Sequence, residues 1–531
     1  MRRFLILMLG LLSLLMQPVT HAQTFVQAAA LADAAEQDLT GGILPFWLEH
    51  TVDPAGGFYG TVAIDGTPQP AADKGAILNA RILWTFARAY RTYGLTSYRE
   101  AADRAAAYFR QHFIDARYGG VFWTVDSEGV MKDPTKQIYA SAFGIYGLAE
   151  HFRATGDLES LEAARGLFRF IRDKAHDGTG GGYFEVLARD GSRTDVNGVD
   201  GHAGATKTMN THIHLLEGFT CLYLAWPDPE VKAALRELLE ILQTKLYNPD
   251  TKHLILYCDD NWKPFDQADS FGHDIETSWL MCEAAEALGD PQLLEAVRRQ
   301  AVAMVDTALA EGLDAAGAMR SERTAAGYRG NLSWWPQCET VIGCVNAWQI
   351  TGNRKYFAAA ERCWDFIRTH FIDETNGGWY NSLTSDGKPA REPKASLWNC
   401  PYHSARVGFE LRTRLQHPAV HSEVMAWSNI TGVRSEGELI YFESSLRAGI
   451  PGGSMEASGR ELQSGVRYSR SGAVQTTVTP LRAGATVTQT VEDVDASTVR
   501  LNWEVSAEKG GEGGVYFCMA FSPRYYANAR I

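Results

Sequence analysis

The sequence has no CxxC pair, and its cysteines show no spacing of the kind that holds a structural zinc. It has no block of Lys and Arg either. Fifty Lys+Arg against 63 Asp+Glu give the 531-residue chain a formal net charge of −13. Such a surface makes a poor partner for nucleic acid or an anionic membrane. After the first residues no apolar run is long enough to cross a bilayer. Apolar residues at 45% and charged residues at 21% exclude general disorder. The eight cysteines are scattered, several in apolar stretches such as Met281-Cys282 and Gly343-Cys344. They read as buried free thiols rather than a disulfide framework. What is plentiful is aromatic: 14 Trp, 21 Tyr and 23 Phe. Such rings fill large cores and also stack on sugar faces.

The first residues read as a secretory signal. Arg2 and Arg3 carry positive charge, Phe4 to Met16 is apolar, and Thr20-His21-Ala22 offers a cut before Gln23. A periplasmic or secreted protein is therefore expected, with residues 1–22 removed and no membrane association afterwards.

Glycine-aromatic turns recur along the chain: Gly56-Gly57-Phe58-Tyr59, Gly119-Gly120-Val121-Phe122-Trp123, Gly181-Gly182-Tyr183-Phe184 and Gly377-Gly378-Trp379-Tyr380. Degenerate copies lie at His253-Leu254-Ile255 and Gly317-Ala318-Met319, giving six turns in steps of 60 to 72 residues. Two helical patterns separate consecutive turns, such as Ile77-Leu78-Arg81-Ile82-Trp84-Thr85-Phe86 followed by Tyr98-Ala101-Ala105-Tyr108-Phe109. One helix precedes the first turn and one follows the last. Twelve helices with one hairpin split between the two ends predict a closed all-α (α/α)6 barrel over 23–415. An open solenoid is the alternative. From about residue 416 the period changes to two, as in Ala485-Thr486-Val487-Thr488-Gln489-Thr490-Val491. This predicts a smaller all-β accessory module over 416–531, a sandwich by its patterning. The strand-like Val515-Tyr516-Phe517-Cys518 lies close to Ile531, which leaves open that the module is incomplete.

Polar and aromatic residues gather at the start of every second helix. They are Arg81, Tyr139, Asn210 with His214, His273 with Glu276, Trp335 with Glu339, and Trp398 with His403. If those helices form an inner ring, their N-terminal ends surround one mouth. Asn210 and His214 share a helix face at i, i+4, and Glu276 at i+3 from His273 can orient that imidazole. His212 points off that face and reads as structural. Three histidines can shuttle protons near neutral pH. Two of them on opposite faces of a carbon α to a carbonyl would invert it, with Arg81, Asn210 and the third histidine holding the oxyanion. A His₃ zinc site of His214, His273 and His403 is conceivable, but there is no HExxH, and the HxH pair His212-Ile213-His214 does not support it because His212 points off the face of His214, so no metal and no cofactor are expected. Glu276 and Glu339 as the acid and base of a glycoside hydrolase is the rival chemistry. A non-catalytic glycan receptor is a third reading.

At these residues the chain resembles the N-acylglucosamine 2-epimerase superfamily, and within it the cellobiose 2-epimerases. The pieces that carry the resemblance are Leu78-Asn79-Ala80-Arg81-Ile82-Leu83-Trp84, Met209-Asn210-Thr211-His212-Ile213-His214, Gly272-His273-Asp274-Ile275-Glu276 and the stretch Trp398 to His403. It runs from about residue 30 to 412. It implies an (α/α)6 barrel that needs no cofactor and inverts C2 of a reducing-end glucose through a cis-enediolate. His403 and His273 match the acid/base pair, while His214, Arg81 and Asn210 match the groups that polarise the carbonyl. Glu276 matches the carboxylate beside His273, Tyr139 a sugar hydroxyl contact, and Trp335 and Trp398 the indoles near a disaccharide. The expected partner is an oligosaccharide and the expected state a monomer. Aldose–ketose isomerisation and N-acylhexosamine epimerisation are the variants within the same superfamily. Pro336 departs from the family pattern, in which an aliphatic residue follows the Trp pair.

Overall fold

The computed structural model describes residues 26–199, 201–265, 268–416 and, in segments, 421–521. The signal-like residues 1–22 lie outside them. Twelve helices run through the first part: α1 (26–50, with a π-helical turn at Leu39–Ile43), α2 (Ala76–Tyr93), α3 (Thr96–Tyr108), α4 (Ile138–Thr155), α5 (Leu158–Phe170), α6 (Met209–Ala225), α7 (Pro229–Thr244), α8 (Phe271–Leu288), α9 (Pro291–Glu311), α10 (Trp334–Thr351), α11 (Arg354–His370) and α12 (Tyr402–Leu411). None of the described helices is long and apolar enough to cross a membrane.

The helix boundaries follow from local chemistry. Four even-numbered helices end at a left-handed glycine, Gly94, Gly156, Gly289 and Gly352. Only glycine reaches that conformation without a Cβ penalty. After three of those corners, and after the non-glycine one at Trp226, the next helix starts at once. The side chains of Asp157, Asp228, Asp290 and Asn353 accept backbone N–H groups of the first turn and satisfy donors that the helix leaves unpaired.

Two kinds of helix result. Even-numbered helices are buried nearly all round: every residue of α6 is buried. Odd-numbered helices bury one face, as α7 does with Val231, Ala234, Leu235, Leu238, Leu239 and Leu242. Contacts between the buried helices run α2–α4–α6–α8–α10–α12 and return from α12 to α2, while each odd helix packs on an even one and α1 packs on α12. The split hairpin is thus closed by the two ends of the helical region.

Short strands tie the repeats together at the N-terminal ends of the inner helices. Lys74–Gly75 pairs with Thr124–Val125, Lys136–Gln137 with Val186–Leu187, and Lys207–Thr208 with Tyr257–Cys258. Asp269–Ser270 pairs with Glu322–Thr324, Leu332–Ser333 with Ser382–Leu383, and the bridge Val62↔Ala395 joins first to last. The glycine turns sit beside this rim. Gly120 is left-handed (φ 70°) and lies so close to Phe170 that an added Cβ would fall within 2.7 Å of the ring. In four repeats a buried lysine of the rim strand reaches the turn's aspartate: Lys74–Asp53 (2.6 Å), Lys136–Asp115 (3.1 Å), Lys207–Asp177 (2.7 Å) and Lys394–Asp373 (2.6 Å). The two degenerate repeats have no such pair among the described residues.

The β-rich part forms two antiparallel sheets, one built on Glu438–Gly449 and the other on Ala485–Asp495. Leu446 packs with Val487, and Ile430 and Phe442 pack with Val491, so apolar residues of both sheets meet. Val466 and Tyr468 rest against the helical core. All eight cysteines are free and seven are buried.

Candidate active site

The residues singled out in the sequence converge at the rim end of the inner helices. Arg81 lies one turn inside α2, and its Nη2 donates to the Tyr139 hydroxyl of α4 at 2.8 Å. The Tyr139 ring stands edge-on to His214 of α6 at 4.8 Å and also to Trp398, at 6.0 Å. Asn210 is buried one turn ahead of His214. His273, in the first turn of α8, stacks obliquely on Trp335 of α10 at 4.7 Å, and His403 of α12 meets the same indole at 5.7 Å. Both imidazoles therefore contact the same indole. Trp398, in the loop before α12, is 36% exposed and sits 5.8 Å from Trp123, forming an aromatic wall at the outer edge.

Pro336 leaves this arrangement intact. It occupies the third position of α10, where the backbone N–H has no helical partner to lose. Glu339, at the start of the next turn, is fully buried and points inward.

Below the histidines lies a charged floor that joins the expected Glu276 and Glu339 to two further residues, Arg406 and Glu217. Arg406, three residues after His403, is buried among three carboxylates. Its Nη1 donates to Glu217 Oε1 at 2.6 Å, and its Nη2 to Glu276 Oε1 at 2.5 Å and Glu339 Oε1 at 2.6 Å. The Tyr402 hydroxyl donates to Glu217, and Trp279 Nε1 donates to Glu339 Oε2 at 3.0 Å. Two carboxylates then reach histidines: Glu339 Oε1 lies 2.7 Å from His403 Nδ1, and Glu217 Oε2 lies 3.1 Å from His214 Nδ1. An ionised carboxylate only accepts, so with Glu339 and Glu217 ionised the hydrogen of each ring sits on Nδ1 and the Nε2 lone pair is free to take a proton; Arg406 Nη2 lies farther from His403 Nδ1, at 3.4 Å.

The expected pairing of Glu276 with His273 is replaced. Glu276 turns to Arg406, because a full positive charge outcompetes a neutral imidazole, and His273 Nδ1 meets Ser270 Oγ at 2.7 Å instead. His212 is satisfied within the core, donating from Nδ1 to the Thr208 carbonyl (2.7 Å) and accepting the Tyr183 N–H (3.0 Å). Glu217 and Arg406 stand at i+3 from His214 and His403, a spacing that was legible. Ser270, Trp279 and Tyr402 carried no comparable signal.

Burial sets the protonation states. It pushes His273 down to about 3, with His214 adding to the effect, and it holds His403 well below its ordinary value with help from Arg406 and Arg81. Both are neutral imidazoles at neutral pH. Burial and the neighbouring Glu339 push Glu276 up to about 7. Burial opposes ionisation of Glu217 as well, yet Arg406 and His214 hold it below the usual carboxylate range.

The ligand atoms of Glu276, Glu339 and His403 lie within 4.8 Å of one another, close enough for a shared cation. Arg406 Nη2 already donates to both carboxylates, so the charge a cation would balance is balanced by the guanidinium. The same contact bears on hydrolysis. Glu276 and Glu339 share one nitrogen beneath the imidazoles, where neither is free to face a glycosidic oxygen.

Comparison with known proteins matches residues 57–406 to the N-acylglucosamine 2-epimerase (GlcNAc 2-epimerase) family. A cellobiose 2-epimerase of Bacteroides fragilis is 42% identical over 386 residues, 72% of this chain and 98% of that protein. One from Ruminococcus albus is 36% identical over 390 residues, 71% and 97% of the two chains. Among solved structures, a sugar epimerase from a ruminal bacterium aligns with a TM-score of 0.70 at 35% identity, covering 72% of this chain and 98% of that one. The cellobiose 2-epimerase of Bacillus thermoamylovorans aligns with a TM-score of 0.69 at 32% identity, again over 72% and 98%.

Proposed function

The chain belongs to the N-acylglucosamine 2-epimerase family and is a carbohydrate epimerase, and we propose that it inverts C2 of the reducing-end glucose of β-1,4-linked disaccharides. The closed circuit of helix contacts supports reading the helical region as an (α/α)6 barrel with the site at its rim. The observation that carries the chemistry is the placement of His273 and His403 against one indole, Trp335, both neutral, with His403 held by Glu339 through Nδ1.

The open-chain sugar presents an aldehyde at C1. One imidazole takes the C2 proton and becomes imidazolium, and the C–H electron pair moves into a C1–C2 double bond as the carbonyl becomes an oxyanion. Arg81 and Asn210 face that oxygen and stabilise the cis-enediolate, and His214 adds to this once its Nε2 has taken up a proton. Because both imidazoles rest neutral, the other first takes up a proton from water and then returns it to the opposite face of C2. Turnover exchanges the two protonation states, which suits a reversible reaction. Glucose and mannose configurations interconvert and the glycosidic bond is untouched. Trp398 and Trp123 offer ring faces to the second sugar.

Incubation of the purified protein with cellobiose in D₂O is the test. The reading expects 4-O-glucosyl-mannose and deuterium at C2. Absence of both ends it. Ketose among the products would assign the same enediolate to isomerisation at C1, and free glucose would point to hydrolysis. Export belongs to the same proposal, with a mature N-terminus at Gln23 as its check, and so does a monomeric state, read by size-exclusion chromatography.

A further inference from the structure

Arg406 is not needed for any step above, yet it is the most heavily bonded side chain near the site. Its guanidinium lies over the rings of Tyr402 (4.2 Å) and Trp279 (4.8 Å) and donates to carboxylates from three different inner helices, α6, α8 and α10. Two of those carboxylates end on histidines from two more directions: Glu217 on His214, and Glu339 on His403. One buried cation therefore connects two imidazoles that are 189 residues apart in sequence at their carboxylate and guanidinium links.

We propose that Arg406 is the positioning residue of this site: through Glu217 and Glu339 it fixes His214 and His403 in the Nδ1–H tautomer, so that both Nε2 atoms are presented to the substrate as bases. The reasoning is charge balance. Three carboxylates in one desolvated pocket cannot all ionise without a counter-cation. If Arg406 were neutral or absent, at least one would take a proton. A protonated carboxyl donates an O–H. Facing it, an imidazole would accept at Nδ1 and carry its own hydrogen on Nε2, and the base would become a donor pointed at the sugar. Glu276 serves as the reserve in this balance, since it pairs with the same guanidinium nitrogen as Glu339 but touches neither His214 nor His403 among its hydrogen bonds. The kinetic half of this inference rests on the proton-transfer reading above; the tautomer half does not.

The experiment uses the full chain labelled with ¹⁵N-histidine and three proteins: the parent, R406K and R406M. In the parent, both His214 and His403 (assigned through their single-site variants) are expected to show a protonated Nδ1 and a bare Nε2. R406M is expected to move at least one of them to Nε2–H. It should lower kcat about 10²-fold, as misplacing a reacting group does, with KM on cellobiose within about threefold. R406K restores the positive charge and is expected to keep the parent tautomers and recover part of kcat. A parent spectrum with hydrogen on Nε2 of either ring overturns the proposal without any variant, so a failure of R406M to fold does not protect it. Unchanged tautomers and unchanged kcat in a folded R406M overturn it too. A parent that neither epimerises nor exchanges the C2 proton defeats the proposed function, while the spectra still decide what Arg406 does.

Discussion

Replacing His403 with Asn separates proton transfer from every other use of this site. The side chain is buried, and its ring is surrounded by Tyr402 at 4.6 Å, Trp335 at 5.7 Å and Trp334 at 6.2 Å. Its one strong polar contact is Glu339, which also receives Arg406 at 2.6 Å and Trp279 at 3.0 Å. Removing the imidazole therefore leaves that carboxylate with two donors, one of them charged, and no buried group is orphaned. The expected loss of stability is about 1–3 kcal/mol, from a smaller side chain and one hydrogen bond. General acid–base catalysis contributes about 10²–10⁴-fold, or about 2.7–5.5 kcal/mol of barrier. The two effects differ enough to be read apart in one preparation, by thermal melting for the fold and by mannose-epimer formation for the chemistry. The exchange experiment is sharper. With His273 intact, the epimer whose C2 proton faces that ring should still wash out in D₂O, whereas its partner should not, and inversion should stop. H403N that epimerises at more than about a third of the parent rate refutes the reasoning. So does an H403N enzyme that keeps its activity while Glu339→Gln loses it and the parent releases monosaccharide, the pattern of a hydrolase.

Other predictions concern charge and access. Because His273 is pushed down to about 3 in the fold against an ordinary value near ~6.5, the unfolded chain binds that proton first as pH falls. Stability tied to it is full above ~6.5 and declines toward pH 3. Glu276, pushed up to about 7, has the opposite sign: its contribution is full below ~4.5 and is lost as pH rises through 7. Glu276→Gln should therefore melt higher relative to the parent at pH 8.5 than at pH 5.5, and a constant difference would count against the assignment. Trp398→Ala, at an exposed indole, should raise KM for the disaccharide about tenfold while leaving the melting temperature nearly unchanged. Lys394→Met strips the partner from a fully buried Asp373, and a loss of about 3–5 kcal/mol is expected from denaturant unfolding of the helical region.

The sequence by itself determined the repeat and hence the architecture. Six turns at steps of 60 to 72 residues, with two helical patterns between consecutive turns, leave few ways to bury the apolar faces. Gly156-Asp157 and Gly352-Asn353 mark helix ends through backbone sterics and side-chain capping, which act between neighbours in the chain. The same local logic put Arg81, Asn210, His214, His273, Trp335 and His403 at equivalent positions. Tertiary structure alone decided what those groups are bonded to. Glu276 looked like the partner of His273 because they are three residues apart, yet it answers to Arg406, 130 residues away. Glu339 stood as a possible hydrolytic carboxylate until α10 and α12 came together and placed it on His403. Electrostatic energy depends on distance and desolvation in space, and a buried guanidinium gathers carboxylates from whichever helices surround it. Helical periodicity reveals which face turns inward; it does not reveal which charge waits there.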